Sequence, residues 1–240
     1  MSLTTAHHLA PARVARATGA LYLGFILASV LADRLGHIGL GSAQQVYDAI
    51  VADVGGFRLG LVVAYISAFL FLAAAWGLYV LLRPVNAELV LLFLLLNAVG
   101  VAIQCASMIP LLAALLTAVE PSHMQSYSAA QLEGLAYLSI RVYQTGFVTA
   151  QLFFGTWLFP LGYLVYRSRA LPRVLSVLLV LDGVGVVVWF LQAMLLPDQP
   201  ALAYPGLAVS FVAEVGLALW LLFRGVSTGY PEASPVAADG

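Results

Sequence analysis

The sequence predicts an all-α, polytopic membrane protein: a six-helix transmembrane bundle with two short amphipathic surface helices. Three observations predict it. Of 240 residues, 62% are hydrophobic and only 9% charged, whereas a soluble domain charges roughly a quarter of its residues. The apolar residues fall into six runs of bilayer-crossing length. The ten basic residues, all Arg, gather mostly at alternate ends of those runs, as cytoplasmic loops require.

The first span covers residues 14–34, entered through Arg13 and Arg16. Its "LYLGFILASV" segment also fits a cleavable signal peptide; it is kept here as a span. Ser42 with Gln45 then has capping-box spacing, and Val46, Ala49, Ile50 and Val54 share one face of a short surface helix. Span two covers 58–82, between Arg58 and Arg83. Span three starts at Ala87 and crosses by residue 109, but its apolar run reaches Val119. Those 33 residues would make roughly 50 Å of helix against a core of about 30 Å. Pro110 is expected to kink the run, or Glu120-Pro121 to end it above the membrane.

Ser128 with Gln131 is a second capping box, and Leu132, Leu135, Ala136 and Ser139 form the face of a second surface helix. Spans four, five and six cover 143–166, 173–196 and 205–223. Residues 1–12 and 225–240 read as flexible tails around a single membrane domain, 13–224. Arg58 to Arg83 and Arg141 to Arg167 are separated by 25 and 26 residues, and "GLYVLLR" resembles "GYLVYR". The first four spans therefore read as two related hairpins, with a third, simpler one behind them.

With the N-terminus cytoplasmic, seven arginines lie inside and three outside. Both termini are then cytoplasmic, in a bacterial inner membrane. Tyr79, Tyr163 and Trp220 each stand four residues before an Arg. Interfacial aromatics with arginine reaching past them mark one membrane plane.

Polar residues within the spans carry the functional reading. Counted from the nearest loop, Asp182, Glu214 and Asn97 lie nine to eleven residues in, roughly 14–17 Å deep. Asn97, Gly100, Gln104 and Ser107 share a face of span three; Asp182, Gly185, Trp189 and Gln192 share one of span five. Gln144, Gln151, Gly155 and Gly162 align on span four. Inserting an acid at mid-bilayer costs roughly 2.5–3.5 kcal/mol, so the acids should face this polar seam between spans three and six. Two carboxyls close together in low dielectric should share or retain a proton, with Asn97 satisfying the oxygen left over. The candidate binding residues are therefore Asn97, Gln104, Gln144, Gln151, Asp182, Gln192 and Glu214. Polar groups also simply hold helices together, at about 0.6 kcal/mol each, so a structural reading stands beside the functional one.

Other chemistry finds no support. His7, His8, His37 and His123 all lie outside the spans, which disfavours intramembrane haem. The single cysteine, Cys105, excludes an internal disulfide and a CxxC motif. No phosphate loop, metalloprotease or nucleophile motif is present, so no cofactor is expected. A net charge of −1 argues against nucleic acid as a partner.

"RATGALYLGFI", "FRLG", "GLYVLLRPVN", "FFGTWLFPLGYLVYRSRALPRVLSVLLV" and "EVGLALWLLFRGV" together resemble a bacterial membrane-protein family catalogued as domain of unknown function 4386. The resemblance spans roughly residues 13–226. It implies a six-span inner-membrane fold and no assigned activity. Where the family pattern often has Gly between the Ser and the Leu-Pro, this chain has Arg169-Ala170.

Three function classes follow. The first binds or transports a small molecule, lipid or proton through the seam. The second is an accessory protein that contacts membrane-protein partners, or its own copies, through helices and outer loops. An intramembrane enzyme ranks last. A cavity reaching Asp182 or Glu214 favours the first; a dry seam with an exposed Gly60–Ala64–Ser67 face favours the second.

Overall fold

The computed structural model describes residues 11–119 and 126–226. Most of both expected tails, the Glu120-Pro121 stop, His7, His8 and His123 lie outside the described residues. The described chain folds into α1 (Pro11–Gly36), α2 (Ala43–Ala52), α3 (Val54–Leu82), α4 (Ala87–Ser107), α5 (Ile109–Val119), α6 (Ala129–Ser168), α7 (Arg173–Leu195) and α8 (Tyr204–Phe223). Six helical stretches are long and apolar enough to cross a membrane, with α4 and α5 together forming the third. Leu27, Phe69, Leu95, Val174 and Phe211 stand exposed on the bundle's outside, a surface suited to lipid and costly in water.

Local chemistry sets the helix boundaries. Both capping boxes form: Ser42 and Ser128 each accept from the backbone N–H three residues on, and Gln45 and Gln131 reach back. After the first, Asp53 ends α2 and also caps α3, its carboxylate accepting from the Gly56 N–H at 2.9 Å. The Ser139-Ile140-Arg141 stretch has no such cap, and there the amphipathic turns run unbroken into the span. The second surface segment is thus the first part of the 40-residue α6, not a detached helix. Pro110 breaks the long third run as expected: it has no N–H to give the preceding turn. The chain divides at Met108, whose N–H takes a tighter bond to the Cys105 carbonyl, 3.2 Å.

The helices pair as α1 with α3, α4 with α6, and α7 with α8, and α6 also lies along α7. Glycines set the closest approaches. A Cβ on Gly185 would lie 2.6 Å from the Gly206 Cα, and one on Gly19 would clash with the Leu222 backbone nitrogen. Such small-residue contacts let membrane helices gain dispersion energy backbone to backbone. The buried side chains form two clusters. One, around Tyr22, Phe71, Phe93 and Trp157, fills the half nearer Pro11 and Phe223. The other, around Ile50, Phe57, Met108 and Ile140, fills the half nearer α2.

Candidate functional site

A cavity of about 410 Å³ lies where the two clusters meet. Phe71 and Phe154 line it from the first cluster, and Ala64, Met108 and Tyr143 from the second. Gly19 holds α1 against α8 near the bundle end that carries Pro11 and Phe223. Beyond that crossing, Ser29 and Asp33 of α1 line one wall and Ser210 and Glu214 of α8 another. Asp33 lies eight residues along α1 from Phe25, so the space runs roughly 12 Å along the helices.

The deep end is acidic. The Gly185–Gly206 contact sets α7 against antiparallel α8. Three residues back along α7, Asp182 therefore meets Ser210, with Glu214 one turn further along α8; both groups lie near its carboxyl. Asp182 is wholly buried; the Ser210 hydroxyl approaches its carboxyl, but neither carboxyl oxygen completes a hydrogen bond among the described residues. Glu214 is half-buried and faces the cavity. The Tyr22 hydroxyl is also close to this pair, fully buried and unpartnered. A structural polar contact would satisfy its atoms; unpaired buried polar groups are costly and call for another explanation.

The sequence-derived candidates divide clearly. Gln104, Gln151 and Glu214 line the cavity, and Asp182 lies beside Glu214. Asn97 is buried with both amide atoms unpartnered, but it is not a lining residue; its helix face meets α6, where Gly100 touches Phe154. Gln144 and Gln192 do structural work instead. The Gln144 amide donates to the Gly41 carbonyl at 2.9 Å, tying the α1–α2 loop to α6. The Gln192 amide donates to the Leu196 carbonyl at 2.9 Å, closing the end of α7.

Sequence reasoning confined the seam to spans three to six and so missed α1 and α3. Ser29 and Ser67 hydrogen-bond across that helix pair, 2.7 Å apart, in the cavity wall. Their signal was available, since both are polar residues within apolar runs. Tyr143 also lines the cavity, only 1% exposed, its hydroxyl near the Gly39 backbone. Gly60, Ala64 and Ser67 do not form an open docking face: all three are buried, and Gly60 packs against Leu35 and Ala32 of α1.

A family model described as "Domain of unknown function (DUF4386)" matches residues 17–225. The chain belongs to this family. The chain is similar to a protein of Archaeoglobus fulgidus described as "Uncharacterized protein", 29% identical over 166 residues, which cover 67% of this chain and 80% of that one. No solved structure matches. In this DUF4386 chain the segment after α6 shows why glycine suits that turn. Arg169 ends the helix at φ 52°, a left-handed conformation that glycine adopts without steric cost. Its arginine therefore adopts a backbone conformation that glycine would take more cheaply.

Proposed function

We propose that this protein binds a small amphipathic molecule within the bilayer, in the cavity that ends at Glu214. The observation that carries the reading is the cavity itself: its size falls in the range of small-molecule sites, and such sites are mostly apolar with a few converging polar groups. The pair Asp182 and Glu214 holds one proton between its two carboxyls, since both cannot ionise cheaply in low dielectric. Native mass spectrometry of the purified protein tests the reading. The wild-type chain should retain a small molecule that Ser67→Phe, which fills the cavity, loses while keeping its helical circular dichroism. No retained molecule in the wild type, or the same one in the variant, would remove the proposal.

The burial of Gly60, Ala64 and Ser67 weighs against the accessory-protein alternative. The arginine bias supports cytoplasmic termini, and the resemblance to a bacterial membrane-protein family supports a bacterial inner membrane. In a Cys105→Ala background, Val85→Cys, only half-buried, should then resist an impermeant maleimide applied to intact cells and react once they are permeabilised. Labelling in intact cells would reverse the orientation.

A further inference from the structure

We propose that the cavity selects an organic cation, an ammonium on an apolar body, which enters from the bilayer between α1 and α8. This rests on the reading of the cavity as a binding site and adds the chemical class of its occupant.

The charge of the lining comes first. Asp33, Arg34 and Glu214 are the charged side chains that line the cavity. Asp33 and Arg34 are adjacent at the mouth and offset one another, whereas Glu214 stands at the deep end with Asp182 behind it. A carboxyl pair holding one proton carries a single negative charge, which one ammonium neutralises. An anion placed there would meet that charge where the dielectric is low and repulsion strong.

The walls give the second argument. Phe25, Phe71, Tyr143, Phe147, Phe154 and Trp189 line the space. Phe25 and Phe71 stack with centroids 4.3 Å apart, and Phe147 meets Trp189 at 6.2 Å. Aromatic faces are electron-rich and attract a cation most strongly when it is desolvated. The buried Tyr143 hydroxyl lies near the Gly39 backbone and completes no hydrogen bond among the described residues, so a lone pair of its oxygen can accept from an ammonium N–H. Three of the other polar groups are engaged: Ser29 bonds Ser67, and the Gln151 amide bonds the Phe147 carbonyl at 3.3 Å; Gln104 and Ser210 also line the space.

Entry follows from the helix crossing. With α1 held to α8 at Gly19, their other halves stand on either side of the cavity. Val30 lines it, yet is 52% exposed on the bundle surface, and Leu207 opposite is half-buried. The space therefore opens towards lipid, where an apolar amine concentrates.

Phenyltrimethylammonium and tert-butylbenzene share a shape and differ in charge. Each is titrated into the protein in lipid nanodiscs, with empty nanodiscs subtracted. The cation should bind the unaltered protein at least about tenfold more tightly than its neutral isostere, the scale of a desolvated cation–π and ionic contact. Glu214→Gln should remove that preference. Equal affinity for the two compounds would overturn the cation class while leaving a binding cavity in place. A preference that survives in Glu214→Gln would overturn the acidic anchor. Binding of neither compound would overturn the proposal, and the retained-molecule measurement would then judge the cavity reading separately. If Glu214→Gln does not fold, the ratio in the unaltered protein decides.

Discussion

Asp182→Leu is expected to destabilise the bundle in detergent by about 1–3 kcal/mol, and Asp182→Asn by less than about 1 kcal/mol. The asymmetry comes from the site. Asp182 is wholly buried, its carboxyl oxygens complete no hydrogen bond among the described residues, and Glu214 lies close by. With the one proton of the pair on Asp182, that side chain resembles an amide in shape and charge, so asparagine replaces it with little change. Leucine takes away the carboxyl near Glu214 and puts a bulkier branched side chain into a wholly buried position. Thermal melts of the two variants beside wild type provide the measurement. Equal, severe loss in both would mean an ionised Asp182 paired with a cation. No loss in either would mean a carboxyl that faces water, and the shared proton would be discarded.

The spans were legible because lipid imposes a length and charges avoid it. The break at Pro110 and the two capping boxes were legible because each rests on a few local atoms. The continuity of α6 was not, since it depends on something missing: the second amphipathic stretch has no counterpart of Asp53, and the spacing that announces a surface helix also suits the first turns of a long one.

The site was half legible. Depth counting from the loop arginines put Asp182 and Glu214 in one layer, and the structure brings them together. The same counting grouped Asn97 with them, although it lies on a helix that faces α6; depth gives height in the membrane but not direction around the bundle. Gln144 and Gln192 share faces with the inward residues but stand near the α2 end, where backbone carbonyls need donors, so they serve the loops. Phe71 and Tyr143 could not be read as cavity residues because α3 and α6 carry aromatics on their lipid-facing sides as well, such as Phe69 and Tyr163. In an apolar medium hydrophobicity does not separate inside from outside.

A protein that binds a ligand in this cavity must let small reagents reach it, and Ser210 is the place to ask. Ser210 lines the cavity beside Glu214 and is half-buried. Ser176, nearer its helix end than Ser210, is a stringent internal reference: it is 4% exposed and donates to the Gly162 carbonyl at 3.0 Å, wedged between α7 and α6. Cysteine replaces serine at both positions with little change in volume, and Cys105→Ala clears the background. The rate of modification by a small cationic methanethiosulfonate, with the protein in lipid nanodiscs, is the measurement. Ser210→Cys should react at least about a hundredfold faster than Ser176→Cys, a gap equivalent to roughly 2.7 kcal/mol in barrier. Equal protection of the two positions would contradict an accessible cavity ending at Glu214.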